Sequence, residues 1–264
     1  MGFDRRTLLA AALAAAATGL GVRRSRASAG PLVAAASDLR WAMEEVADAF
    51  AAAGGARPLV VYGSSGKFFQ QIVHGAPFEL FLSADEAYVL ELHRRDLVPD
   101  PGVLYAVGRI VVFAPDGSPL EPDPRLDGLK RALETGLIGR FSIADPAHAP
   151  YGARAKEALE ATGLWEAVRP RLVFAANVAQ AAQYALAGQV DGAIFALSLA
   201  LAPTTQGHGR FAVIDASLHA PLSQRMVLLP AAGEQARAFF TFLQGREARA
   251  ILQRYGFTLP GAGG

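Results

Sequence analysis

Short runs of strand-forming residues alternate with amphipathic stretches along this 264-residue chain from Gly30 onward. This alternation predicts an α/β fold, because helices that separate strands pack against the sheet those strands form. The spacing of apolar residues predicts helices over 38–53, 66–74, 84–95, 152–161, 179–187 and 234–255. The strands are predicted at 32–36, 59–62, 80–82, 110–113, 141–144, 172–174, 193–196, 211–214 and 226–229.

Residues 1–29 are predicted to be an export signal. Arg5-Arg6 precede an apolar run over 8–20, and an Ala-x-Ala cleavage site ends at Ala29. The paired arginines are typical of a twin-arginine signal. We therefore expect a cleaved, periplasmic (extracytoplasmic) protein, with a retained N-terminal anchor as the alternative.

Composition excludes several classes of function. The chain has no cysteine, which rules out disulfides and thiolate chemistry. Residues 1–29 hold five arginines and one aspartate, so their removal changes the net charge from +1 to −3. No basic tract remains for nucleic acid, the five histidines are too dispersed for a metal site, and no G-x-S-x-G motif is present. The glycines around Lys67 lack the spacing of a phosphate-binding P-loop.

Two serines follow strands at the points where helices are predicted to begin. Ser37 comes after the strand at 32–36, and Ser65 after the strand at 59–62. The first turn of a helix has unpaired N–H groups and the positive end of the helix dipole. Each hydroxyl can therefore cap its helix or donate to an anion held at the same N–H groups. Ser64 is the weaker candidate, because only one of two adjacent hydroxyls can point along the helix axis.

Two further strand-to-helix connections have similar features. The loop over 144–152 contains two prolines, and Pro150 presets the backbone at Tyr151, whose N–H would open a helix. Asn177 is a good N-cap, which would leave the N–H of Val178 pointing out of the helix start. Rigid loops with ordinary caps are the alternative explanation for both.

The chain also offers two places where it can cross between lobes, at 104–109 and 215–224. We predict a first lobe of 30–106 completed by 222–264, and a second lobe of 107–221. A cleft between two such lobes is where α/β proteins commonly bind ligands.

The sequence resembles the periplasmic molybdate-binding proteins of ABC transporters over nearly the whole mature chain. The resemblance rests on five segments in the same order: Ala34-Ala35-Ala36-Ser37-Asp38-Leu39, Gly63-Ser64-Ser65-Gly66-Lys67, residues 75–85, residues 145–152 and Arg254-Tyr255-Gly256-Phe257. It implies a two-lobed type II periplasmic-binding-protein fold, with a mixed sheet flanked by helices in each lobe and the ligand in the cleft.

The resemblance also implies roles for individual residues. Hydroxyl and backbone donors would come from Ser37 and Ser65, and backbone N–H donors from Tyr151 and Val178. Some family members add a tyrosine hydroxyl from a late strand; the matching residue here is Phe195, which has none, and Ser198 is a conceivable substitute. Asp38 would repel a dianion unless its side chain turns outward.

We therefore expect a monomeric binding protein that captures molybdate or tungstate as an oxyanion and delivers it to a membrane permease. No cofactor, no catalysis and no direct protein–metal ligand is expected. One alternative is a receptor for sulfate or phosphate. Another is an enzyme on the same scaffold, for which only His148 and Asp145 offer acid–base groups.

Overall fold

The computed structural model describes residues 30–260 and has two lobes, each built around a five-stranded mixed sheet flanked by helices. The predicted α/β, two-lobed fold is confirmed. The predicted export signal lies outside the described residues. Among residues 30–260, no helix combines the length and the apolar composition that a bilayer crossing requires.

The sheet of the first lobe has the order β2-β1-β3-β10-β4. Strand β1 runs parallel to β2 and β3, while β10 is antiparallel to β3 and β4. Its strands are β1 (Leu32–Ala36), β2 (Leu59–Gly63), β3 (Leu80–Ser83), β4 (Val103–Gly108) and β10 (Leu222–Leu228). Burial on both faces of β3 explains its uninterrupted apolar sequence.

The sheet of the second lobe has the order β7-β6-β8-β5-β9. Strand β6 is parallel to β7 and β8, and β5 is antiparallel to β8 and β9. The strands are β5 (Ile110–Pro115), β6 (Phe141–Ala144), β7 (Leu172–Ala175), β8 (Gly192–Ala196) and β9 (Gly209–Val213).

Helices cover these sheets and join their strands. Helix α1 buries Met43, Val46 and Phe50 at its apolar face, and Leu39 in the turn that precedes it is buried beside them, as the spacing predicts. The helices are α1 (Arg40–Ala52), α2 (Ser65–Val73), α3 (Glu86–Arg94), α4 (Asp127–Glu134), α5 (Pro150–Ala161), α6 (Trp165–Val168), α7 (Val178–Leu186), α8 (Leu197–Ala200), α9 (Glu234–Leu243) and α10 (Arg246–Arg254), with 3-10 turns at Ser37–Leu39, Arg169–Arg171 and Ala216–Leu218.

The sequence prediction missed or misplaced some elements. Residues 104–109 were predicted as a crossing, yet most of them form β4, which pairs with β10 and bonds to Thr258 through Val107. Helix α4 was not predicted, because half of its eight residues are charged and it is short. The predicted helix over 234–255 is two helices, since Gly245 adopts an extended conformation and starts α10.

The chain passes from one sheet to the other twice. It does so between β4 and β5, around Arg109, and again between β9 and β10. The proposed lobe limits of 106/107 and 221/222 fall close to these crossings and stay a prediction.

Candidate functional site

A small cleft lies between the lobes, where strands end and helices begin. The carboxyl ends of β1 and β2 contribute one wall, and the starts of α5 and α7 contribute the other. The residues that line it are Ala36, Ser37, Asp38, Gly63, Ser64, Ser65, Ala84, Ala149, Pro150, Tyr151 and Val178. All four predicted site residues, Ser37, Ser65, Tyr151 and Val178, are brought together there; their contact with a ligand stays a prediction.

Neither predicted serine caps its own helix. Ser37 and Ser65 are the first residues of the 3-10 turn and of α2, and neither helix start has a side-chain capping bond. Each Oγ instead accepts a backbone N–H: Ser65 from Ala84 at 2.9 Å and Ser37 from Ala179 at 3.3 Å. A hydroxyl that accepts a bond still has a proton to donate. Both buried hydroxyls are therefore held in place with their donor capacity free.

The two serines differ in how they are held. The partner of Ser65, Ala84, follows β3 in the same lobe, so this hydroxyl is fixed whether or not the lobes approach each other. The partner of Ser37, Ala179, lies in the first turn of α7 in the other lobe. Ser37 is consequently fixed only when the lobes are closed, as they are in this structure.

Tyr151 and Val178 present backbone donors rather than side-chain groups. Tyr151 is the second residue of α5, and Val178 is the first of α7, so the N–H of each lacks a carbonyl partner within its helix. The predicted cap Asn177 accepts the N–H of Gln180 at 3.1 Å. The phenol of Tyr151 is turned away and donates to Asp38 at 2.9 Å. Tyr151 and Val178 therefore contribute backbone N–H donors to the cleft.

No lysine, arginine or histidine lines the cleft within residues 30–260. Lys67 is exposed, and so is Arg40, which lines an adjoining groove with its guanidinium carbon 6.0 Å from the Tyr62 ring centroid. The same residues provide no group of metal-ligating side chains. Electrostatic attraction for an anion must come from hydroxyls and helix-start N–H groups.

Among residues 30–260, Asp38 supplies the one carboxyl group of the cleft lining, and its side chain turns into the protein interior rather than out to solvent. It is 1% exposed and points into the interior, where its Oδ2 accepts bonds from Tyr151 and, at 2.6 Å, from the Nε2 of Gln224. Burial raises the pKa of Asp38 to about 6, although the hydrogen bonds from Gln224 and Tyr151 act in the opposite direction.

Phe195 and Ser198 do not reach the cleft. Phe195 is fully buried in the second lobe, with its ring centroid 5.2 Å from that of Phe113. The hydroxyl of Ser198 donates to the backbone oxygen of Asp38 at 2.7 Å. The hydroxyl proton of Ser198 is therefore already used in a hydrogen bond to the backbone. This geometry does not support the expectation that Ser198 replaces a tyrosine hydroxyl at the ligand.

Direct contacts hold the lobes together at the rim of the cleft. The N–H of Gly66 donates to the carbonyl of His148 at 3.0 Å, and Arg154 pairs with Asp85 at 3.0 Å. The hydroxyl of Ser64 lies 3.0 Å from the Nδ1 of His148. Burial and the neighbouring Lys67 lower the pKa of His148. These pairings could not be predicted, because each joins residues that are 69 to 84 positions apart.

Comparison with known proteins places this geometry in a family. A family described as bacterial extracellular solute-binding proteins matches residues 31–258. The chain belongs to this family. Solute-binding relatives include the molybdate-binding protein ModA of Rhodobacter capsulatus, 33% identical over 88% of this chain and 89% of the relative. The molybdate-binding protein ModA of Escherichia coli is 30% identical over 86% and 88% of the two chains.

Solved structures of this solute-binding type have the same fold. The periplasmic molybdate-binding protein of Azotobacter vinelandii superimposes with a TM-score of 0.79 at 27% identity, covering 87% of this chain and 99% of the other. The sulfate-binding protein SubI of Mycobacterium tuberculosis has a TM-score of 0.70 at 18% identity, covering 89% and 88%. The second likeness concerns the fold alone.

Proposed function

We propose that this solute-binding protein captures molybdate or tungstate outside the cytoplasm and delivers it to the permease of an ABC transporter. The observation that carries the proposal is the set of uncharged donors in one cleft. It comprises two buried serine hydroxyls free to donate and two N–H groups at helix starts. The relatives named as molybdate-binding proteins support the choice of anion. We further propose a periplasmic monomer that binds without cofactor or catalysis.

The donors can compensate for the removal of a dianion from water. A buried charge is costly unless it is hydrogen-bonded, and a hydrogen bond to a charged group contributes about 1.5–3 kcal/mol. The four predicted donors, Ser37, Ser65, Tyr151 and Val178, would together contribute roughly 6–12 kcal/mol before the cost of association. A ligand that joins donors from both lobes also favours the closed arrangement, which a permease can recognise.

Thermal melting of the mature protein tests the proposal. Molybdate and tungstate at about 1,000 times their dissociation constants should add about 4 kcal/mol of stability. For a chain of this size that corresponds to a rise in Tm of about 8–16 °C. Sulfate and phosphate at the same concentrations serve as controls and should produce much smaller shifts. Equal or larger shifts with sulfate or phosphate would identify a different oxyanion receptor.

Removal of the nearby cations should matter little if uncharged donors hold the ligand. We expect Lys67→Gln and Arg40→Gln each to change the molybdate Kd by less than about fivefold at physiological salt, because exposed charges contribute about 0.2–1 kcal/mol. Isothermal titration calorimetry provides the measurement. A loss of tenfold or more in either variant contradicts the proposed mode of binding.

A further inference from the structure

The buried carboxyl group of Asp38 sits on the wall of a cleft proposed to hold a doubly negative ligand. Its Oδ2 accepts two hydrogen bonds, from the Tyr151 hydroxyl at 2.9 Å and from the Gln224 amide at 2.6 Å. Its Oδ1 is buried and has no partner at full hydrogen-bonding geometry within residues 30–260, although the backbone N–H groups of Asp38 and Leu39 are near enough to lower the pKa of the carboxyl. A carboxylate in this position has one oxygen satisfied and one oxygen only partly compensated for its lost hydration.

The groups that face this carboxyl are all neutral. From β4, Tyr105 donates to the Oε1 of Gln224 at 2.7 Å, which orients the amide so that its NH₂ group meets Asp38. From α5 comes the phenol of Tyr151, and from α8 the hydroxyl of Ser198, which bonds to the backbone of Asp38. Burial and the proximity of Asp38 raise the pKa of both phenols well above the ordinary value. Within the described residues, no cation forms an ion pair with the Asp38 carboxylate.

We propose that capture of the oxyanion is coupled to the uptake of one proton by Asp38, so that a neutral carboxylic acid lies behind the cleft wall that holds the dianion. The inference rests on the proposed function. The proton comes from solvent and is placed on Oδ1, because the two donors already occupy Oδ2. The neutral acid then keeps both existing bonds to Oδ2 and removes the negative charge that burial disfavours.

Two physical effects act in the same direction. A dianion placed beside the carboxyl is a like charge, which favours the protonated form. Closure completes the burial of Asp38, because Tyr151 belongs to the lobe opposite to that of Asp38, Gln224 and Tyr105. In the closed structure, burial outweighs the hydrogen bonds and raises the pKa of Asp38 to about 6. The bound anion should raise it further, above neutral pH.

The sign of the pH dependence of molybdate affinity follows from the difference between the pKa of Asp38 in the free protein and its pKa in the complex. When the complex binds more protons than the free protein, affinity falls as pH rises between the pKa of the free carboxyl and that of the bound form. The fall should approach tenfold per pH unit within this window and vanish below it. The opposite slope is expected if a group must lose a proton to bind the anion.

Calorimetry measures the proton directly. Molybdate is titrated into the mature protein at about pH 7 in buffers with different enthalpies of ionisation, and the dependence of the measured enthalpy on buffer gives the number of protons taken up. We expect an uptake of between about 0.5 and 1 proton for the wild type and none for Asp38→Asn. This substitution preserves the shape of the side chain, and the amide oxygen can still accept hydrogen bonds from Tyr151 and Gln224. Asp116→Asn, at an exposed turn, is the matched control and should behave as the wild type.

The outcomes separate the inference from the function it rests on. Molybdate binding with a buffer-independent enthalpy in the wild type overturns the inference and leaves the proposed function standing. Proton uptake that persists in Asp38→Asn assigns the proton to another group, such as His148, and also overturns it. Failure of the wild type to bind molybdate in the melting experiment overturns the proposed function itself. If Asp38→Asn does not fold, the wild-type buffer series can still overturn the inference by showing no proton uptake, and the same series on His148→Gln excludes the histidine as the source.

Discussion

The double variant Ser37→Ala/Ser65→Ala is expected to lose about 2–6 kcal/mol of molybdate binding free energy, a weakening of about 30-fold to more than 10⁴-fold. Each hydroxyl is buried, has its oxygen fixed by a backbone N–H and retains a proton to donate. Removal of either donor leaves one oxygen of a buried dianion without its bond, at a cost of about 1–3 kcal/mol.

Isothermal titration calorimetry on both single variants and the double variant measures these losses. Because both hydroxyls would contact one ligand, the single effects need not add, and the double-mutant cycle gives their coupling. Ser142→Ala is the matched control: this serine is also fully buried, but its hydroxyl donates to Val173 within the second sheet. Unchanged affinity in the double variant would mean that the serines serve only the fold.

The second large effect is expected from Gly66→Ala, which should weaken molybdate binding by about 10- to 100-fold, or about 1.4–2.8 kcal/mol. A Cβ at this position would lie 2.6 Å from the carbonyl oxygen of His148, across the cleft. That oxygen belongs to the backbone and also accepts the N–H of Gly66 at 3.0 Å, so the lobes must separate to admit the methyl group. A separated pair of lobes cannot bring all the donors to one ligand.

The same substitution should not unfold the protein, which makes the test specific for closure. Gly66 lies in α2, where alanine is the better helix former. The second close atom, the hydroxyl of Tyr88 at 2.8 Å, is the end of a side chain that can rotate. We expect the Tm without ligand to stay within a few degrees of the wild type. Gly139→Ala, whose Cβ would meet only Asp191 at 3.5 Å, is the control for both measurements.

Wild-type affinity in Gly66→Ala would contradict the requirement for the closed arrangement seen here. A large drop in the Tm without ligand would instead show that the substitution damages the first lobe, and any loss of affinity would then come from that damage. Small-angle X-ray scattering with and without molybdate distinguishes the two, since a variant that cannot close should keep the same radius of gyration after ligand is added.

Local sequence determined most of the architecture. The alternation of strand-forming runs with amphipathic stretches predicted the α/β fold, because side-chain periodicity follows directly from helix and strand geometry. The same reasoning placed Ser37, Ser65, Tyr151 and Val178 at helix starts, where N–H groups are unpaired. The resemblance to a known family supplied the link between these four positions, which lie too far apart along the chain for local patterns to connect.

Only the tertiary structure decided what each of these groups does with its neighbours. In the folded chain the hydroxyls of Ser37 and Ser65 accept backbone N–H groups instead of capping their own helices. The Asp38 side chain, whose direction the sequence left open, lies inward against Tyr151 and Gln224. The tertiary structure also made a strand of 103–108, because pairing with β10 outweighed a weak local signal. Hydrogen bonds and burial between distant segments depend on how the lobes pack, and no local pattern encodes that arrangement.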